Sequence, residues 1–202
     1  MVKSKAILFH NEYRRDSYKF LSECYYLPDE GLVKTLNNLN ASRGGLYLDI
    51  AKHCPGMSDI DSLIIDYSKL FVGPYGLLAP PYGSVYLEDT DRVMGNSTAD
   101  VRKKYSEEGL DISLKEAPDH IAIELEFMYF LVFKEIEATK NHDLSNTTRY
   151  KEKQRAFLET HLGVWVSDFA SKVEASAQTE FYKYLARVTK SFVTNDVNNG
   201  VA

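Results

Sequence analysis

Apolar residues recur at steps of three and four along most of the 202-residue chain, and runs that alternate apolar with polar residues are scarce. That period lays an apolar stripe along one face of a helix, so the expected fold class is all-α, a compact bundle of seven to ten helices. In the first segment Phe9, Tyr13, Ser17, Phe20, Leu21 and Cys24 share a face, and Pro28 closes a helix over about 4–26. A second begins at Ser58, has Asp61 three residues on as an approximate capping box, and aligns Ile60, Leu63, Ile64, Tyr67 and Phe71 before Gly73 and Pro74. A third runs from Thr98 to Glu108 and ends at Gly109. Between Ile121 and Phe133 eleven of thirteen residues are apolar, but Glu124 and Glu126 interrupt them, which predicts a buried helix to about Lys140 rather than a membrane span. Asp119 or the residue before it is its expected cap. After a polar break over 141–148, Phe157, Leu158, Leu162, Trp165, Phe169 and Val173 form another stripe, with Gly163 as its interruption. Phe181, Leu185, Val188 and Phe192 form the last.

Residues 73–86 break this pattern. They hold Pro74, Pro80 and Pro81 and Gly73, Gly76 and Gly83, set among Tyr75, Leu77, Leu78, Tyr82 and Tyr86, so no regular element is expected there. Ordinary loops are polar; an apolar, aromatic one is either packed onto the body or kept ready for a ligand.

The net charge of −5, with a pI near 5.6, argues against a nucleic acid or an anionic membrane as partner and favours a basic, apolar one. Between Ser84 and Glu126 eleven acids face five bases, so the acidity is concentrated beside the aromatic loop. Fourteen Tyr and ten Phe supply large rigid contact area. Cys24 and Cys54 make neither a CxxC pair nor a disulfide framework, and four consecutive apolar residues before His10 are too few for a signal peptide. A cytoplasmic location is expected.

Enzyme signatures are missing: there is no phosphate loop, no GxGxxG, no HExxH, no GxSxG, and no ExxH pair for a di-iron site. One ionisable cluster remains, Glu116, Asp119, His120 and Glu124. It admits three readings: acid–base or metal chemistry, a structural role in which Asp119 caps a helix while Glu124 is solvated, or recognition of a basic ligand.

Three motifs in order carry a resemblance. Tyr67-Ser68-Lys69-Leu70-Phe71-Val72-Gly73-Pro74, followed by Ala79-Pro80-Pro81-Tyr82-Gly83-Ser84-Val85-Tyr86, resembles the loop of the TorD/DmsD family of redox-enzyme maturation chaperones. Glu116-Ala117-Pro118-Asp119-His120, leading into the helix with Glu124, Glu126 and Met128, is similar to the family's E-x-P-D-H hinge, with Ala117 where many members carry proline or an acid. His161-Leu162, Trp165 and Phe169, then Phe181-Tyr182, Leu185 and Phe192, are similar to its C-terminal helices.

The resemblance implies one TorD-like domain over 1–202: an N-terminal helical lobe to about 115, a hinge at about 109–120 and a C-terminal lobe. It implies a non-enzymatic chaperone that binds the twin-arginine signal peptide and the apo form of a molybdenum-cofactor oxidoreductase, delaying export until the cofactor is in. No cofactor is implied, although some relatives bind guanine nucleotide weakly. Monomers and domain-swapped homodimers both fit, with no nucleic acid and no membrane insertion. On this reading Asp119, Glu124 and Glu126 meet the arginines, Glu116, Pro118 and His120 form the hinge, and Tyr67, Phe71, Leu77, Leu78, Tyr82, Tyr86 and Met128 line a greasy groove beside Gly73, Pro74, Pro80, Pro81 and Gly83. The rival readings are a nucleotide-handling protein built on Asp119 and His120, and a helical interaction scaffold.

Overall fold

The structure, a computed structural model, describes residues 2–38, 44–54, 59–73, 76–88, 95–110 and 117–200. These form ten α-helices: α1 (Val2–Cys24), α2 (Glu30–Asn37), α3 (Tyr47–His53), α4 (Ile60–Tyr67), α5 (Ser84–Leu87), α6 (Asn96–Glu107), α7 (Ile121–Lys140), α8 (Leu144–Thr160), α9 (Leu162–Ser176) and α10 (Glu180–Asn195). π-helical turns extend α4 over Ser68–Val72 and α10 over Asp196–Gly200. Among the described residues there is no strand beyond a single antiparallel bridge between Tyr82 and His120, and no helix is long and apolar enough to cross a membrane.

Short polar side chains start four of the ten helices by accepting an otherwise unpaired backbone N–H. Asp29 caps α2 through Leu32 N, Asp59 caps α4 through Ser62 N, and Thr179 caps α10 through Tyr182 N. Asp66, buried on α4, accepts from the N–H groups of both Gln178 and Thr179 at 2.8–3.1 Å and so ties the start of α10 to α4. The expected break over 141–148 spans only Asn141–Asp143, because Asp143 takes the N–H of Asn146 at 3.0 Å and starts α8 inside the polar run. The interruption expected at Gly163 lies two residues earlier, at His161 (φ −132°, ψ −106°), where α8 ends and α9 begins. Residues 73–86 are not wholly irregular either, since α5 begins at Ser84.

α1 lies along α7, α7 packs on α8, α9 on α10, and α10 on α3. A single core cluster therefore draws on both halves of the chain, with Tyr18, Leu21, Ile50 and Leu70 from the first and Met128, Leu158, Trp165, Phe169 and Leu185 from the second. The halves share this core through α1 and α7; the middle of the expected hinge, 111–116, lies outside the described residues. On α1 the expected stripe holds for Ser17, Phe20, Leu21 and Cys24 but not for Phe9, which is 74% exposed, or for Tyr13. In that half of the helix Asn11, Arg14 and Tyr18 turn inward instead.

Candidate functional site

The loop motif and the turn before α7 meet. Gly83 N–H donates to the Asp119 carbonyl and Ile121 N–H to the Pro81 carbonyl, each at 2.8 Å, pinning the loop to the turn on both sides of the Tyr82–His120 bridge. Asp119 does not cap α7. Its Oδ2 accepts Ser84 N–H at 2.8 Å and so starts α5, while His120 takes the cap of α7 by accepting Ala122 N–H on Nδ1 at 3.2 Å. The His120 ring lies parallel to Tyr26, with centroids 6.3 Å apart, and edge-on to Tyr82 at 5.4 Å. Pro118 is buried, and its carbonyl lies 3.5 Å from the Tyr105 hydroxyl.

Glu124, one turn into α7, is not solvated. It is fully buried, and its Oε2 accepts the Trp165 indole N–H at 3.0 Å. Burial pushes the Glu124 carboxyl well above the usual carboxylate range; the Trp165 bond lowers it, and the negative charge of Asp119 raises it further. Gly83 passes close over this pair: a Cβ there would stand 2.9 Å from Trp165 Nε1 and 3.2 Å from Glu124 Oε1, so only glycine fits without displacement. Tyr86 stacks on Trp165 with centroids 5.5 Å apart and donates its hydroxyl to the Pro80 carbonyl at 2.9 Å.

The carboxylates expected to converge do not. Asp119 and Glu124 are both 0% exposed, whereas Glu126 leaves α7 toward α1 and pairs with Lys19 at 2.9 Å. Two positions along a helix face nearly opposite ways, which separates Glu124 from Glu126. Tyr67, Phe71 and Met128 are core residues rather than groove walls: Phe71 packs within 6.2 Å, centroid to centroid, of Tyr25, Tyr67, Phe169 and Tyr182, and Met128 is fully buried. Pro81 and Gly83 are buried, Gly73, Leu77, Pro80, Tyr82 and Tyr86 are partly exposed, and Leu78 is exposed. Glu116 and Pro74 lie outside the described residues. Among the described residues no group of three or more His, Cys, Asp or Glu is placed to hold a metal.

Sequence reasoning missed a second polar centre. Arg14 donates Nε to Asp196 Oδ1 at 2.6 Å, and Nη2 to Asp196 Oδ2 at 2.9 Å and to Gln154 Oε1 at 2.8 Å. Tyr18 donates to Asp196, and Glu135 accepts from Asn11 and Gln154 at 2.7 and 2.8 Å. Arg14 and Asp196 of this network line a cleft of about 780 Å³ between α1, α3 and α10, whose walls include Tyr13, Leu46, Tyr184 and Phe192. The only sequence signal was that Asn11, Arg14 and Tyr18 keep helical spacing, which a solvated face shows equally well.

The family model of the nitrate reductase delta subunit matches residues 36–171, which spans the loop, the turn and α7 to α9. The chain belongs to that family, and with it to the TorD/DmsD group. Its TorD/DmsD relatives include the chaperone protein TorD of Vibrio parahaemolyticus, 26% identical over 66% of this chain and 62% of that one. The Tat proofreading chaperone DmsD of Salmonella typhimurium is 28% identical over 64% of this chain and 58% of that one. The perchlorate reductase assembly chaperone protein of Dechloromonas aromatica is 36% identical over 42% and 37%. The chain thus spans less than two thirds of the length of these TorD/DmsD relatives, which are named as chaperones and not as enzymes. A solved structure from Archaeoglobus fulgidus, described as a redox enzyme maturation protein, superposes with a TM-score of 0.59 at 26% identity, covering 89% of this chain and 93% of that one.

Proposed function

We propose that this protein is a cytoplasmic maturation chaperone that binds the twin-arginine leader and the apo form of a molybdenum-cofactor oxidoreductase, and delays export until the cofactor is inserted. Membership of the TorD/DmsD family is the observation that carries this reading. The names of two relatives, one for Tat proofreading and one for assembly of perchlorate reductase, support it. So does the surface. Ile65 and Val72, seven residues apart on the outer side of α4 and its π-helical extension, are exposed, as is Leu78 in the loop that follows. An apolar leader segment fits such a strip, and the acid surplus of 84–126 favours its arginines.

In the closed arrangement Asp119 and Glu124 are out of a leader's reach, so direct pairing with guanidinium groups requires the segment over them to lift. Asp119, His120, Pro81 and Gly83 then act as positioning residues for that segment. Burying about 400 Å² of apolar leader contributes about 10 kcal/mol before association and ordering costs, which leaves micromolar affinity.

Titration calorimetry with a synthetic twin-arginine leader tests the reading. Micromolar binding that weakens when both arginines become lysines is expected; no binding of the leader overturns it. A GTP titration and light scattering over a concentration range, run on the same sample, test weak nucleotide binding and dimer formation.

A further inference from the structure

Six buried side-chain polar atoms among the described residues have no hydrogen-bond partner, and three of them lie on the two segments that meet at the loop–turn junction: Ser84 Oγ, Asp119 Oδ1 and Glu124 Oε1. Orphaned buried polar atoms are rare in native proteins, and a cluster of them marks a place that is not at its electrostatic optimum. Two belong to the carboxyl groups of Asp119 and Glu124, and over Glu124 passes a glycine that leaves no room for a side chain.

We propose that Glu124 is a proton-carrying latch: neutral, it lets residues 81–87 close over Trp165, and when it gives its proton to solvent the segment lifts.

The geometry carries the argument. A neutral Glu124 keeps Oε2 as acceptor for the Trp165 indole and places its O–H at Oε1, so what Glu124 leaves short of a partner is an uncharged O–H. An ionised Glu124 puts a second negative charge beside Asp119, inside a core where both are fully buried. Among the described residues no cation is placed to offset that charge, and only the Trp165 N–H favours it. From the turn it meets Asp119; from α6, Tyr105; from α9, Trp165. His161, at the α8–α9 break, donates to or accepts from Asp100 at 2.8 Å, and burial holds it below its ordinary value, toward the neutral form. Lys104 is itself paired with Asp100 at 3.4 Å. The two carboxylates are rehydrated most directly by raising the segment that covers them, whose hydrogen bonds to the turn include Gly83 to Asp119, Ile121 to Pro81 and Ser84 to Asp119. Burial and the charge of Asp119 both favour the protonated carboxyl, in agreement with this arrangement.

Resting on the function proposed above, the same latch couples leader uptake to proton release, because a guanidinium brought beside Glu124 replaces its proton as the neutralising charge.

Trp165 is the only tryptophan in the chain and bonds the latch directly, so its fluorescence reads the Glu124 proton. In a pH titration of the free protein, wild type is expected to show an emission transition centred above the ordinary carboxylate range, with unchanged far-ultraviolet dichroism. Glu124→Gln, which keeps the indole bond and cannot ionise, is expected to show none. A transition that persists in E124Q, or is missing from wild type, overturns the latch. Should E124Q fail to fold, the carboxyl carbon shifts of wild type labelled with ¹³C-glutamate decide in the same way. Leader calorimetry in buffers of different ionisation enthalpy adds a second arm. Release of about one proton per leader by wild type supports the coupling, and binding without release overturns the coupling alone. Absence of binding overturns the proposed function, while the fluorescence result still decides the latch.

Discussion

Two buried polar centres in this bundle are built on opposite principles. Around Arg14 every strong group is answered: the guanidinium is forked onto Asp196 and reaches Gln154, Tyr18 closes on the same carboxylate, and Glu135 takes two amide donors. Around Glu124 the polar groups are as deeply buried, yet Ser84 Oγ, Asp119 Oδ1 and Glu124 Oε1 are left without partners. A fully answered network fixes one arrangement of α1, α7, α8 and the turn after α10; a half-answered one is held closed by its surroundings and can be released by a proton or a cation.

The largest expected effect lies on the answered side. Asp196→Ala strands a buried guanidinium and should cost about 3–5 kcal/mol in denaturant unfolding, whereas the pair Arg14→Met with Asp196→Leu should recover most of that loss. If both variants lose equally, the network does more than satisfy charge. On the other side, Gly83→Ala forces a methyl into the Trp165 and Glu124 contact and should cost about 1–3 kcal/mol, with a shift in Trp165 emission that Gly76→Ala does not produce. Stability should also depend on pH through Glu124. Its folded carboxyl holds a proton that the unfolded chain loses first, so the stability it contributes is complete below the ordinary carboxylate range and declines as pH rises toward the raised folded value. Unfolding curves of E124Q should lack that decline. Asp119→Asn removes the charge facing Glu124 and should move the Trp165 transition to lower pH while changing stability by only about 1 kcal/mol. Smallest of all, Leu78→Ser should stay within about 0.5 kcal/mol of wild type and show its effect only as weaker leader binding.

Much of this was legible in the chain. Period alone located α7, α9 and α10, and the loop and turn motifs identified the two segments that form the junction. What periodicity cannot report is which polar residues face inward, because the partners that answer the buried Arg14 lie 140 and 182 residues away. The cap of α7 was misplaced by one residue for a similar reason: Asp119 is a good cap by type, but the distant Ser84 N–H competes for its carboxylate and leaves the role to His120. Tyr67, Phe71 and Met128 were aromatic or soft residues in a recognisable motif, and nothing local distinguishes a groove lining from a core contact until the packing of α9 and α10 on them is known.

The separation of Arg14 from Asp196 also sets a timetable. A ribosome adding 5–20 residues per second makes the carboxylate roughly 10–40 s after the guanidinium, and until then the first helix carries a cation without its forked carboxylate partner. A nascent chain stalled before the turn that follows α10 therefore has the first helix and its α7 partner but not the carboxylate that answers Arg14.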